Sequence, residues 1–279
     1  PFYAIPAEHL LGLTEWVSHQ ELLAQGKLVE IGSEDTATEV CFCSHQWTSF
    51  EHPDPSCDQL KALQAVVRKL MAGRTPVTSN GMLEGVYQWK MVTTGAEWAE
   101  KLPRMSFWID YLCIPQPGAL VSKASAALKR QLDTNHDGRV EQAELSNAHL
   151  EVEEMDGDVP VAKVAVSVQT SQRRGSSDHR LLGGADTKQA DAEIARLVVQ
   201  LKAAVDTIPS YIERSAMMWV VVPSVKHADL PDTMCDFSSW RRRGWCRMEF
   251  AASKLACGDD MPLMVVQSAV EAPEYFNPC

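Results

Sequence analysis

Four short apolar segments constrain the fold of this chain more than any other feature of its sequence. Continuous apolar segments of this length are typical of β-strands that are buried on both faces, as in a parallel sheet. The four are Val40–Ser44, Ser106–Leu112, Met217–Val222 and Pro262–Gln267. Between them lie amphipathic helical patterns, at Cys57–Met71, Asp191–Ile208 and Trp245–Ala256. Strands that alternate with helices predict an α/β fold with an open, doubly wound, mostly parallel sheet.

The segment between the second and third strands interrupts this alternation and predicts an insertion. We expect an N-terminal helical segment at residues 1–39, with a helix at Glu8–Gln25, followed by an α/β domain formed by residues 40–117 and 191–279. Residues 118–155 are expected to form a helical insertion. Residues 156–190 are expected to form a flexible loop, because they contain GSSDH and LLGGAD and few large side chains that could be buried.

The composition excludes several classes of protein. With 26 Lys and Arg against 37 Asp and Glu, the net charge is −11, so the chain as a whole repels nucleic acid and anionic membranes. The longest stretch without a charged residue is the 12 residues of Tyr111–Ser122. Because a bilayer span needs roughly 20 apolar residues, no membrane span is expected. The start of the chain has no basic segment followed by an apolar one, so no signal peptide is expected either.

Eight scattered cysteines, without a CxxC pair, predict reduced thiols and a cytoplasmic location. A zinc cluster is an alternative role for some of them, although its spacing matches no usual zinc motif. The alternation of side chains along a strand explains Cys41 and Cys43 equally well, since residues two apart share a face. The candidate zinc ligands are Cys41, Cys43, His45, His52 and Cys57.

An acidic segment within the insertion matches the calcium-binding loop of an EF-hand. It begins at Asp133 and ends at Glu144, with Gly138 at the sharp turn and Val140 at the apolar eighth position. Calcium takes about six to eight oxygen ligands, which a curved loop ending in a bidentate Glu provides. The predicted calcium ligands are Asp133, Asn135, Asp137, the backbone carbonyl of Arg139, Glu141 and Glu144.

The loop has an alternative interpretation as an acidic surface turn. EF-hands normally pair, and the sequence contains no second loop of the DxDxDG type. A single hand binds calcium weakly or pairs with a hand in another molecule. Apolar residues on both sides of the loop, Leu128, Leu132 and Leu145, agree with the helices that flank an EF-hand loop.

Three further motifs follow one another in a definite order. They are Cys43-Ser-His-Gln-Trp47 after the first strand, Phe107-Trp-Ile-Asp-Tyr-Leu-Cys-Ile-Pro-Gln116 at the second, and Arg243-Gly-Trp-Cys-Arg-Met-Glu249 at the start of the last helix. Together they resemble the HET (heterokaryon incompatibility) family, whose hallmarks are WIDALCINQ and a later R-x-W-x-x-x-E. HET domains are similar to TIR domains, in which a W-C-x-x-E motif follows a strand. The resemblance implies a TIR/HET-like α/β core to which the EF-hand is an addition.

Many TIR domains hydrolyse NAD to nicotinamide and ADP-ribose, and the Glu of their W-C-x-x-E motif is the essential residue. The resemblance therefore implies this activity for the present chain. Here that residue is Glu249. A carboxylate beside the ribose can stabilise the positive charge that develops when the bond to nicotinamide breaks. Four arginines stand out in an acidic chain, and their guanidinium groups can hold a diphosphate. They are Arg241, Arg242, Arg243 and Arg247.

Open α/β sheets bind ligands at the carboxyl ends of their strands, where the first two motifs place polar residues. The predicted substrate-binding residues are Ser44, His45, Trp47, Asp110, Arg243, Trp245 and Arg247. Glu249 and several of these residues also have a purely structural interpretation. Glu249 could pair with Arg247, Trp245 could pack the helix against the sheet, and Asp110 could cap backbone amides.

The sequence therefore leaves two functions open. The first is a calcium-binding intracellular signalling domain that hydrolyses NAD. The second is a non-enzymatic TIR/HET-like interaction module that self-associates or recruits partners under the control of calcium. The two functions differ in the role they give to Glu249.

Overall fold

The structure is a computed structural model, and it describes residues 2–35, 37–79, 81–123, 126–136, 139–140, 144–145, 151–152, 164–165, 185–257 and 261–276. The chain divides into two compact units. The first comprises residues 1–114 and 207–279, and the second comprises residues 115–206. Within the described ranges, no helix is both long enough and apolar enough to cross a membrane.

The strands and helices are numbered in chain order. The strands are β1 (Phe2–Pro6), β2 (Val29–Ile31), β3 (Val40–His45), β4 (Val77–Ser79), β5 (Val92–Thr93), β6 (Ser106–Trp108), β7 (Glu151–Val152), β8 (Val164–Ala165), β9 (Met217–Val221), β10 (Val225–Lys226), β11 (Met234–Cys235), β12 (Leu263–Val266) and β13 (Glu274–Tyr275). The helices are α1 (Ala7–Leu11), α2 (His19–Ala24), α3 (Asp58–Met71), α4 (Gly81–Tyr87), α5 (Gly95–Lys101), α6 (Asp110–Cys113), α7 (Ala126–Leu132), α8 (Ala185–Asp206), α9 (Ile208–Glu213), α10 (Phe237–Trp240) and α11 (Gly244–Cys257). Two 3₁₀ turns occupy Leu102–Arg104 and Pro117–Lys123.

The first unit is built on a mixed sheet of nine described strands in the order β2-β1-β6-β3-β9-β12-β13-β4-β5. The four central strands, β6, β3, β9 and β12, are mutually parallel. Towards the two edges the pairs are antiparallel, apart from the parallel pair of β13 and β4. The central strands are continuously buried, which is why the sequence shows apolar segments rather than alternation there.

Helices cover both faces of this sheet, and the side chains of β3 show which helix covers which face. On one face Phe42 stacks on Trp108, whose ring in turn contacts Tyr211 of α9. On the other face His45 contacts Gln59 of α3. The predicted α/β fold is therefore confirmed.

The chain does not visit the central strands in their spatial order. From β3 it runs through α3 to β4 and β5 at the far edge of the sheet before it returns to β6, and it later enters β9 on the other side of β3. The strands β6 and β9 therefore flank β3, and the carboxyl ends of these three parallel strands lie at one end of the sheet. In open α/β sheets, ligands bind outside the carboxyl ends of the strands.

The N-terminal segment differs from the single helix that we expected at Glu8–Gln25. Helix α1 ends at Leu11 with Gly12 as its C-cap, and α2 begins only after Ser18, which forms a capping box with Glu21. The strands β1 and β2 extend the sheet beyond β6. Residues 1–39 are therefore not wholly helical. The helix α1 ends at the Gly12 C-cap, and the capping box of Ser18 and Glu21 starts a separate helix.

Two further predicted boundaries are wrong. The second apolar segment ends as a strand at Trp108, because Asp110 begins the short helix α6. Helix α8 begins at Ala185, so residues 185–190 are helical and are not part of a loop. It ends at Asp206, and Pro209, which has no N–H to donate, lies in the first turn of the separate helix α9. Most of the loop predicted at residues 156–190 lies outside the described residues.

The second unit contains the segment in which the EF-hand was predicted. It consists of the 3₁₀ turn, helix α7, the paired strands β7 and β8, and helix α8. Leu128, Leu132 and Leu145, which flank the predicted loop, are all buried.

Candidate active site

The structure brings five of the predicted site residues together at the carboxyl ends of β3 and β6. Ser44 and His45 are the last two residues of β3, and Trp47 follows them. Asp110 begins α6 immediately after β6, and Glu249 lies on α11. Because β3 and β6 are parallel neighbours, their ends meet at one edge of the sheet.

Ser44 fixes the carboxyl group of Glu249 on one face of the sheet. The hydroxyl of Ser44 donates a hydrogen bond to Oε2 of Glu249 at 2.5 Å. The same hydroxyl accepts a hydrogen bond from the indole N–H of Trp240 at 2.9 Å. Since Ser44 is buried, its role in the structure is to hold Glu249 rather than to face solvent.

His45 occupies the opposite face and contacts a polar side chain through each ring nitrogen. Its Nε2 lies 2.8 Å from Oδ1 of Asp110, and its Nδ1 lies 2.8 Å from Oε1 of Gln59. Burial lowers the pKa of His45, but the Asp110 charge and the hydrogen bonds to Asp110 and Gln59 outweigh it and raise the pKa. Trp16 stacks on the imidazole with ring centroids 5.4 Å apart.

Asp110 accepts hydrogen bonds from His45, Trp47 and Tyr111, and its side chain stays partly exposed. Besides His45, the indole N–H of Trp47 donates to Oδ2 at 2.8 Å and the backbone N–H of Tyr111 donates to Oδ1 at 2.6 Å. Burial raises the pKa of Asp110, but His45 and these donors outweigh it and lower the pKa. The Asp110 side chain is 27% exposed, so part of it is accessible at the carboxyl ends of the strands.

Glu249 has the opposite electrostatic character. Burial, together with the nearby Asp110 charge, raises the pKa of Glu249 to about 8, although the Ser44 hydrogen bond and His45 oppose the shift. The residue is 8% exposed. The site therefore combines an ionised carboxylate with a second carboxyl group that exchanges its proton near neutral pH.

The remaining predicted substrate-binding residues lie outside this hydrogen-bonded cluster. Arg243 precedes α11, whereas Trp245 and Arg247 lie in its first turn. All three side chains are exposed. Trp245 is 53% exposed, so it does not pack the helix against the sheet. Cys246 does so instead, with its thiol directed at the backbone carbonyl of His45.

Sequence reasoning missed three residues that complete the cluster. Gln59 is hydrogen-bonded to His45, and Trp240 donates a hydrogen bond to Ser44. Trp16 stacks on His45 and donates its own indole N–H to Asp54. A glutamine beside an apolar helical stripe gives no signal of its partner. Trp240 lies close to the arginine cluster, and that proximity is the only indication in the sequence.

Two cavities differ sharply in size. The cavity beside His45, lined also by Trp16 and Gln59, has a volume of about 10 Å³. A cavity of about 340 Å³ lies at the amino ends of the strands, next to Glu39 and Met105, which directly precede β3 and β6. The cavity beside His45 is therefore too small to hold a nucleotide.

The predicted calcium loop is described only in part, since Asp137 and Glu141 lie outside the described residues. Oε1 of Glu144 accepts hydrogen bonds from the backbone N–H groups of Thr134 and Asn135, at 2.7 and 3.0 Å. The last carboxylate of the loop is therefore folded back onto its beginning, which brings the two ends of the predicted ligand set together. The ligand types fit calcium, because all of them are oxygen donors.

Within the described ranges, no group of three His, Cys, Asp or Glu residues is arranged to hold a metal ion. All five candidate zinc ligands are among those residues, and the structure does not bring them together as such a group. Cys41 and Cys43 are buried free thiols of β3.

Neither a family model, nor a curated protein, nor a solved structure matches this chain. The resemblance to HET and TIR domains therefore stays a prediction that depends on the three sequence motifs. The fold and the site define an α/β protein with a buried Ser–Glu pair and a His–Asp pair at the carboxyl edge of its parallel strands.

Proposed function

We propose that this protein hydrolyses NAD to nicotinamide and ADP-ribose at the carboxyl edge of its central strands. The observation that carries the proposal is a pair of carboxyl groups at the carboxyl ends of the parallel strands, Glu249 bonded to Ser44 and Asp110 bonded to His45, whose pKa values are shifted in opposite directions. Such pairs are typical of sites that cleave glycosidic bonds, where the two carboxyl groups take different roles.

The chemistry needs one ionised carboxylate near the reacting carbon of the ribose. When the bond from C1′ to the nicotinamide nitrogen breaks, its electron pair neutralises the pyridinium ring, and positive charge develops on the ribose. Water then adds to C1′ and transfers a proton to Glu249, which must be ionised to accept it. The ionised Asp110 adds negative charge at the same end of the strands and would bind the ribose hydroxyls.

The exposed residues around the start of α11 extend the site beyond the reacting groups. Arg243 and Arg247 present guanidinium groups that can bind the diphosphate through paired hydrogen bonds. Trp245 presents an indole face on which a planar ring can stack. These residues would bind the parts of NAD that do not react.

Release of nicotinamide from NAD by the purified chain tests this proposal, with Glu249→Gln as the decisive variant. Gln keeps the shape and can still accept the Ser44 hydrogen bond, so we expect a folded protein that has lost turnover by about a hundredfold or more. Glu8→Gln is the matched control, because Glu8 is an exposed carboxylate on α1. A folded Glu249→Gln protein with undiminished release would contradict the proposal.

We also propose that the second unit binds calcium and makes this a calcium-responsive signalling domain. The residues that would hold the ion are Asp133, Asn135, Asp137, the Arg139 carbonyl, Glu141 and Glu144. The backbone contacts of Glu144 support this, because they close the loop between its first and last predicted ligands.

A non-enzymatic interaction module is the second candidate, and the small cavity beside His45 favours it. In that function the exposed Trp245 and its neighbouring arginines contact a partner or a second copy of the chain. Sedimentation of wild type and Trp245→Ala separates the two functions. Association that Trp245→Ala abolishes, together with no nicotinamide release by the wild type, would favour the module.

A further inference from the structure

Gln59 is a buried polar side chain on α3 whose orientation is determined by the backbone of another segment. Its amide nitrogen lies 2.9 Å from the carbonyl oxygen of Gln46. A carbonyl oxygen can only accept a hydrogen bond, so the NH₂ group of Gln59 must face it. The amide oxygen of Gln59 therefore faces Nδ1 of His45, and Nδ1 must carry a proton to donate.

The other ring nitrogen of His45 faces a group that also accepts. Asp110 already receives the indole N–H of Trp47 and the backbone N–H of Tyr111, a donor set that favours its ionised form. An ionised carboxylate can only accept, so Nε2 of His45 must donate as well. Both nitrogens then carry protons, which makes His45 an imidazolium ion.

We propose that Gln59 is a positioning residue that holds His45 as an imidazolium and, through His45, holds Asp110 ionised at the sheet edge. The catalytic consequence rests on the proposed function, whereas the protonation of His45 does not. In NAD hydrolysis, the imidazolium would keep Asp110 oriented and would oppose the burial that raises the pKa of Glu249.

The groups that face His45 from the surrounding elements agree with a positive charge. Asp110 faces it from α6 and Glu249 acts on it from α11. Cys246, also on α11, stays a neutral thiol, because burial raises its pKa. The stacked ring of Trp16 provides an aromatic face that stabilises a cation.

The chain contains a matched control for Gln59 on the same helix. Gln64 is also buried, and its amide nitrogen donates to the backbone carbonyls of Leu10 and Leu13, both at 2.8 Å. Its bonds connect α3 to the N-terminal segment and do not involve His45. Gln59→Met and Gln64→Met each remove a buried amide while keeping the length of the side chain, but only the first removes a partner of His45.

Nitrogen NMR of histidine-labelled protein tests the proposal without any substrate. The His45 signals are assigned by their loss in His45→Gln, and the wild type is titrated across neutral pH. We expect both ring nitrogens to remain protonated at pH 7.5 in the wild type and in Gln64→Met. In Gln59→Met we expect His45 to bind its proton at least about tenfold more weakly, a fall of one pKa unit.

Each outcome decides the proposal. A neutral His45 at pH 7 in the wild type would overturn the proposal, whether or not the variants fold. A His45 pKa that is the same in Gln59→Met as in the wild type would also overturn it. The NMR result does not depend on NAD, so a wild type that releases no nicotinamide removes the proposed reaction and leaves this measurement intact. If nicotinamide is released, Gln59→Met should shift the pH profile of the rate and Gln64→Met should not.

Discussion

Glu249 and Asp110 are bonded to neighbouring residues at the end of β3, yet their surroundings give them opposite ionisation behaviour. Asp110 accepts hydrogen bonds from an imidazole, an indole and a backbone amide. Glu249 accepts one from the Ser44 hydroxyl, and burial is the largest influence on its pKa. Hydrogen bonds to a carboxylate favour its charged form, whereas burial disfavours it. The difference therefore arises from the His45 charge beside Asp110, from the number of donors that each carboxyl group meets, and from the Asp110 charge that acts on Glu249.

This difference predicts how the rate depends on pH. The proposed reaction needs an ionised Glu249, and the free protein holds that group with a pKa of about 8. Below that pH most Glu249 is protonated and inactive, so kcat/KM for NAD should rise with pH and level off above about 8. Initial rates of nicotinamide release between pH 6 and pH 9.5, flanking that pKa, measure the profile. A rate that falls across this range would assign Glu249 the role of a proton donor instead.

At the scale of a single element, the start of α3 determines where Gln59 lies. The carboxylate of Asp54, which is fully buried, accepts hydrogen bonds from the backbone N–H groups of Gln59 and Leu60 at 2.8 and 3.1 Å. It also accepts the indole N–H of Trp16. Asp54 thus caps the helix and fixes the ring that stacks on His45, although it does not itself contact His45.

Removal of this cap should cost more than removal of an exposed one. Asp54→Ala leaves buried amide and indole donors without an acceptor, so we expect the free energy of unfolding to fall by about 2–4 kcal/mol. Thr94→Ala, which removes the exposed cap of α5, should cost about 1 kcal/mol. Urea denaturation of both variants measures the two losses. Equal losses would show that Asp54 acts only as an ordinary cap.

The predicted EF-hand belongs to the same scale, because its ligands come from one loop. Calorimetry with calcium should show binding by the wild type, and Glu144→Gln should weaken it about tenfold or more, because a neutral amide replaces the bidentate carboxylate. Glu193→Gln, an exposed carboxylate on α8, is the control in the same unit. The absence of any heat at millimolar calcium would end the EF-hand hypothesis.

At the scale of the whole molecule, the sequence allowed the four central strands and their major helices to be predicted, because burial on both faces leaves continuous apolar segments. The outer strands β1 and β2 were missed, since a short strand that extends a sheet depends on its neighbours rather than on its own pattern. The motifs located Ser44 and Glu249, which are 205 residues apart in the chain. The contact of Gln59 with His45 could not be predicted, because it depends on how α3 is rotated on the sheet.

The course of the chain also joins the candidate site to the predicted calcium loop. Asp110 begins α6, which ends at Cys113, and the second unit begins at residue 115 and returns to the first at Thr207. Because the connection leaves the first unit only a few residues after Asp110, we expect calcium bound in the second unit to change the position of Asp110 and therefore the affinity for NAD.

Thermodynamic linkage turns this connection into a measurable prediction. If calcium changes the affinity for NAD, then NAD must change the affinity for calcium by the same factor, and we expect a factor of about 5–150, which corresponds to about 1–3 kcal/mol. Calcium titrations with and without a saturating, non-cleavable NAD analogue measure it, and Glu144→Gln should abolish the difference. Superimposable isotherms for the wild type would show that the second unit is an independent calcium-binding insertion. Such an insertion need not be coupled to the domain that carries it, because a long insertion at the surface has little thermodynamic cost.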